Sequence, residues 1–143
     1  MIRLNGYEFE CGDAGRPGIS WDIERKICTE LGIEFNYFYA GDSANQPKME
    51  AIFNQGNTWV HCRRGADRTG GAVGGWLHNV KGWSTERTWD YTTDYNSWNS
   101  QCLGNAESQR VFVKGGYLFQ AKKFGVKDLA DAQRLARLYP GGK

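Results

Sequence analysis

The chain has 143 residues, 40% hydrophobic and 24% charged, with a net charge of +2, which fits one compact soluble domain. The near-neutral balance argues against a strongly basic nucleic-acid binder, while leaving room for a local basic patch. No apolar run is long enough to span a bilayer and no charged-then-apolar leader follows Met1, so the chain reads as soluble and cytoplasmic. Six Trp among 14% aromatic residues point to a core built around large rings. Cys11, Cys28, Cys62 and Cys102 form no paired C-x-x-C clusters, which argues against zinc. They read as mostly reduced, with at least one chemically employed.

In chain order, MIRLNGYEFE suggests one or two short strands, broken by the glycines and Pro17 of CGDAGRPG. SWDIERKICTELG reads as a helix capped by Ser20, with Trp21, Ile23, Ile27, Cys28 and Leu31 at helical spacing and Gly32 as the stop. IEFNYFYA, residues 33–40, is β-branched and aromatic and predicts a buried strand, with Tyr37 and Tyr39 alternating with Phe38. GDSANQP is a loop, and Pro47 suits the first turn of a helix over about 47–54. NTWVHC predicts a second strand, with Trp59 as a core residue. From Thr69, AVGGWLHNV predicts a buried helix whose glycines allow close packing against a sheet, closed by Lys81 and Gly82, with His78 at the surface or at the cap. Ser84 caps a further helix through about Tyr95. Residues 96–110 are polar and carry little pattern, and VFVKGGYLF suggests a hairpin or an extended segment. The last helix, Lys127 to Tyr139, sets Leu129, Ala132, Leu135, Ala136 and Leu138 on one side, with Lys127, Arg134 and Arg137 on a solvated face. Strands alternating with helices imply an α/β domain, a mainly parallel central sheet flanked by helices.

The stretch VHCRRGADRTGG, residues 60–71, concentrates reactive side chains where strand gives way to loop and then helix. Such a turn aims successive backbone N–H groups and a helix N-terminus at one point, a nest for a tetrahedral anion. Gly65, Gly70 and Gly71 permit the backbone conformations required. Cys62 lies where the strand enters the nest, so the same partial positive charges would stabilise its thiolate. Arg68 opens the helix, and its planar fork can grip two phosphate oxygens. Thr69 can donate to the sulfur as it leaves, and His61 orders the loop from behind. Arg63 and Arg64 either add positive potential for an acidic substrate or are solvated residues that lend only backbone N–H groups alongside Gly65, Ala66 and Asp67. The alternative for Cys62 is an inert buried thiol, for which cationic neighbours are the wrong surroundings.

HCRRGADRTG resembles the H-C-(x)5-R-(S/T) phosphate loop of the cysteine-dependent protein tyrosine phosphatase superfamily, in the H-C-x-x-G-x-x-R-T-G form of small dual-specificity-like, bacterial or viral members. All ten positions fit. A looser similarity runs from about Ile2 to about Tyr95: ELGIEFNYF resembles the strand before the family's general-acid loop, GDSANQP that loop, and GWSTERTWDY the helix after the catalytic one. Residues 96–143 carry no resemblance. The family likeness implies a phosphatase-like fold and hydrolysis through a cysteinyl-phosphate intermediate, without metal or cofactor. Arg68 and the loop would bind substrate, and an Asp would serve as acid and then base.

Asp42 is the candidate acid by position; it precedes Cys62 by 20 residues, fewer than in many members. Asp67, inside the loop, is the rival, with a purely structural role as its alternative; Asp13 and Asp22 remain. Ser43 and Asn45, or Gln101 and Gln109, could position water. Cys11 or Cys28 could shield Cys62 as a disulfide, although Cys28 reads better as core. The expected enzyme is a monomeric protein tyrosine or dual-specificity phosphatase with a shallow cleft, acting on a phosphorylated protein. Two alternatives stay open: the same chemistry on a phosphoinositide, an inositol phosphate or an RNA 5′-triphosphate, and a phospho-binding module with weak turnover.

Overall fold

The computed structural model describes residues 1–4, 21–62, 68–95 and 117–139. Residues 1–64 and 65–143 form two compact units. In the first are β1 (Ile2–Arg3), α1 (Trp21–Glu30), β2 (Asn36–Tyr37), a 3₁₀ turn (Ser43–Asn45), α2 (Gln46–Phe53) and β3 (Val60–His61). In the second are α3 (Arg68–Asn79), α4 (Thr85–Tyr95), α5 (Tyr117–Lys122) and α6 (Leu129–Leu138). The described residues are thus mixed α/β, with a three-stranded parallel sheet and six helices. None of these helices is long and apolar enough to cross a membrane.

The sheet order is β2-β1-β3, so the first strand of the chain is the central one. Ile2 pairs with Asn36 and Val60, and Arg3 with Tyr37 and His61. The ladder continues beyond these pairs: Leu4 N–H donates to His61 O at 2.9 Å and Phe38 N–H to Arg3 O at 2.9 Å. A parallel strand with neighbours on both sides is covered on both faces, and Ile2, Arg3 and Leu4 are all buried. Segment 33–40 departs from the expected buried strand. Its β2 has a partner on one side, and Ile33, Tyr37 and Tyr39 are exposed.

Helix α1 forms where expected, with Gly32 at φ +67° as its stop; Ser20 lies outside the described residues. Its inward face differs from the expected one. Ile23, Ile27 and Leu31 are exposed, whereas Cys28 is buried and Glu24 nearly so. Glu24 and Cys28 are one helical turn apart, so the helix is rotated to bring a carboxylate rather than an isoleucine stripe inward. Trp21 packs edge-on against Phe35 and Tyr37, with ring centroids 6.0 and 5.4 Å apart.

The second unit is built on a glycine-rich helix. A Cβ on Gly71 would lie 2.6 Å from Gln120 Cβ, and one on Gly74 would lie 2.5 Å from Phe124 Cδ1. Gly71 and Gly74 therefore admit α5 and the turn after it. Trp89, Ala121, Phe124, Val126, Ala132 and Leu135 form the buried cluster, with Leu118, Leu129, Ala136 and Tyr139 packed against it. Residues 117–119, read as hairpin or extended, begin helix α5. Gln120 and Ala121 of this helix are buried, as is Phe124 in the turn after it. Residues 111–116 lie outside the described residues. Leu138, expected on the apolar side of α6, is exposed in the last turn.

Local chemistry sets the helix ends. Arg87 N–H donates to Ser84 Oγ at 3.1 Å, as the cap reading requires. His78 Nδ1 lies 2.8 Å from Trp83 O and ties down the turn after α3, where Gly82 takes φ +68°. At the start of α6, Asp131 N–H donates to Asp128 Oδ1 at 2.9 Å and Lys127 N–H to Asp131 Oδ2 at 3.1 Å. Arg134, expected to be merely solvated, spans Asp131 at 2.8 Å and Glu86 of α4 at 3.3 Å.

Two expectations follow. Gly74→Ala gains about 1 kcal/mol of helix propensity but drives a methyl into the fully buried Phe124 ring. Urea unfolding should show a net loss of about 1–2 kcal/mol. Burial raises the Asp131 pKa, but the Lys127 N–H and Arg134 outweigh it and hold the carboxyl below its usual value. Its contribution is therefore complete above the ordinary carboxylate range and is lost as pH falls through the lower folded-state value. Asp131→Asn should weaken the acid-side decline of stability measured by urea unfolding between about pH 5 and pH 2.

Candidate functional site

The candidate site begins at the end of β3. Val60 and His61 complete the ladder, and Cys62 follows with 6% of its surface exposed. Arg63, Arg64, Gly65, Ala66 and Asp67 lie outside the described residues, as do Cys11, Asp13, Gln101, Cys102 and Gln109. The description resumes with Arg68, the first residue of α3, so a strand runs up to Cys62 and a helix opens six residues after it, as the sequence predicts. The first turn of any helix leaves its N–H groups unpaired and carries partial positive charge. Thr69 Oγ1 in that turn is buried with no hydrogen-bond partner among the described residues. Gly70 and Gly71 beside it are also buried.

Asp42 follows β2 on an exposed turn. Strands β2 and β3 run parallel to the same central strand, so Asp42 and Cys62 both come after the same, C-terminal edge of the sheet. Open parallel sheets bind ligands at that edge. Asp42 Oδ1 accepts from Ala44 N–H at 2.9 Å and caps the 3₁₀ turn. Asn45 Nδ2 donates to Tyr39 O at 3.1 Å, so its amide already has a local partner in the turn. Trp59, expected in the core, is 68% exposed; its ring lies tilted beside that of His61, with centroids 5.7 Å apart.

Behind Cys62 lies a charged cluster that the sequence reading did not include. Arg3 is 1% exposed in the central strand. Its Nη1 is paired with Glu24 Oε2. The other carboxylate oxygen, Oε1, is 2.6 Å from His61 Nε2. The opposite ring nitrogen, Nδ1, is 3.4 Å from the Cys62 carbonyl oxygen. The Glu24 contact is close but not aligned as a hydrogen bond, since His61 Nε2 has no hydrogen-bond partner among the described residues. Glu24 is thus the carboxylate beside the ring of His61, the residue expected to order the loop. One signal in the sequence marks the cluster: Arg3 interrupts an apolar run, Ile2 to Leu4, that becomes the sheet centre. Its partner 21 residues away is invisible without the fold.

Cys28 is buried, as the core reading expects, and neither Cys28 nor Cys62 is in a disulfide. Burial, and then the negative charge of Glu24, push the Cys28 thiol up. It is a poor nucleophile at neutral pH.

No protein-family model and no solved structure matches the chain.

The Arg3–Glu24 pair makes a stability prediction. Glu24→Ala removes a carboxylate partner of the buried Arg3 guanidinium and should lower stability in urea unfolding by up to about 3 kcal/mol, whereas Arg3→Met combined with Glu24→Ala should recover most of that loss.

Proposed function

We propose that the chain is a phosphomonoester hydrolase of the cysteine-dependent tyrosine phosphatase type, with the corresponding fold, acting on phosphotyrosine and on phosphoserine or phosphothreonine in proteins. The observation that carries this reading is HCRRGADRTG between a parallel strand and a helix: Cys62 directly follows β3 and Arg68 opens α3. In the reaction, the Cys62 thiolate attacks phosphorus in line. The bond to the leaving oxygen breaks, and that oxygen takes a proton from the acid. Water then attacks the phosphocysteine, the S–P bond breaks, and the same carboxylate accepts the water's proton. Arg68 and the backbone N–H groups of the loop hold the phosphoryl oxygens as charge builds on them. The unpartnered Thr69 hydroxyl is a donor available to the departing sulfur.

Asp42 is the proposed acid, because it follows the same sheet edge as Cys62. Its carboxylate also caps a turn, and this favours, as a second reading, a phospho-binding module with weak turnover.

A nitrophenyl phosphate assay separates the two. The leaving group hardly needs an acid, so the wild-type chain should turn it over, Cys62→Ser should abolish turnover, and a chelator should leave it unchanged. With a phosphopeptide, Asp42→Asn should lower kcat by about 10²- to 10⁴-fold and remove the dependence on the protonated acid. Near-normal turnover by Asp42→Asn with loss in Asp67→Asn would transfer the role to Asp67. Activity surviving in Cys62→Ser, or lost to a chelator, would sink the mechanism.

A further inference from the structure

Cys62 is the reacting group in the proposed function, yet its backbone is braced by residues far from the phosphate loop. Arg3 lies in the central strand, hydrogen-bonded to both neighbouring strands through the ladder around it. Its guanidinium is almost wholly buried and can shift little. It pairs with one oxygen of Glu24, and the other oxygen lies 2.6 Å from His61 Nε2, a charge contact rather than an aligned hydrogen bond. The opposite edge of that ring faces the Cys62 carbonyl at 3.4 Å. Trp59 lies against the ring with centroids 5.7 Å apart, which limits its tilt. Arg3, Glu24, His61 and Cys62 are thus one line of contacts, from the middle of the sheet to the residue that carries the thiol.

We propose that Glu24 is a positioning residue for Cys62, acting through His61, with Arg3 as the buried cation that fixes the carboxylate. The inference rests on the phosphatase reading only in taking Cys62 as the nucleophile. Glu24 touches neither substrate nor sulfur in this role. It sets the orientation of the imidazole, and the imidazole sets the backbone from which the thiol projects. Misplacing a reacting group by about 1 Å can cost about 100-fold in rate, so a brace of this kind affects turnover more than binding.

A merely structural role, in which Glu24 only neutralises Arg3, makes different predictions. Glu24→Gln keeps the shape and removes the charge. Positioning predicts that kcat for nitrophenyl phosphate falls roughly 10- to 100-fold with little change in KM. It also predicts that Glu24→Gln added to His61→Asn lowers kcat no further than His61→Asn alone. Arg3→Met with Glu24→Gln removes the buried cation as well as its partner. If charge balance were the whole role, this double variant would regain wild-type turnover; positioning requires that it stay impaired. The same double variant serves if Glu24→Gln by itself fails to fold.

Nuclear magnetic resonance of the full chain provides the arm that does not depend on activity. The ring nitrogen signals of His61 and the carbonyl carbon signal of Cys62 should both move in a folded Glu24→Gln chain. If the wild-type chain hydrolyses no aryl phosphate, the phosphatase reading fails while these signals still test the brace. Unmoved His61 and Cys62 signals in the folded variant, or recovered turnover in Arg3→Met with Glu24→Gln, would overturn the proposal.

Discussion

A guanidinium in the middle of a small parallel sheet is the constraint around which the first unit is arranged. Arg3 sits between Ile2 and Leu4 in β1, and all three are buried. A charge in that position is tolerated only with a partner, since removing an ion from water costs several kcal/mol. Glu24 is the partner, and α1 is rotated to deliver it. That rotation explains why Ile23, Ile27 and Leu31 face outward and why Cys28, one turn from Glu24, faces inward. The pair also reaches His61, so one electrostatic requirement of the sheet centre extends to the end of β3, next to Cys62.

The second unit meets a different constraint, close approach. Helix α3 contains Gly70, Gly71, Gly74 and Gly75, a sequence that loses helix propensity at each position. What offsets that loss is packing: Gln120 lies against Gly71 and Phe124 against Gly74 at distances no side chain would allow. Helix α3 carries Arg68 and Thr69 in its first turn and Gly71 just after them. The residues that fix the helix laterally therefore sit beside those proposed to bind the phosphoryl group. Polar anchors at the margins, Arg134 to Glu86 and His78 to Trp83, tie α4 and the turn after α3 to the same unit.

Most helices were legible because their signals are local. Ser84, Pro47 and the Gly32 and Gly82 stops lie within a few residues of the ends they mark, and each end falls close to its expected place. The strand over 33–40 was legible as extended but not as an edge, because edge and centre differ only in whether a second strand arrives. The helical periodicity of α1 was correct and its inward face was not: hydrophobic spacing treats Ile23 as core, and a buried arginine elsewhere in the chain decides otherwise. Residues 117–119 read as hairpin or extended segment and instead begin α5, where β propensity does not decide.

For the candidate site, the division follows the same line. Cys62, Arg68, Thr69 and the glycines were nominated from the chain alone, because the motif that suggests them spans about ten consecutive residues, and the strand before it and the helix after it are also encoded locally. That Asp42 and Cys62 follow one edge of one sheet could not be read from their separation of 20; it follows from the order β2-β1-β3. Nor could the line from Arg3 through Glu24 to His61 be read, since its members lie on three elements spread over nearly sixty residues. Neighbouring side chains in sequence determine what chemistry a loop can attempt. Only the fold decides which distant charge holds that loop's first residue in place, because burial makes the partner obligatory and topology chooses which one arrives.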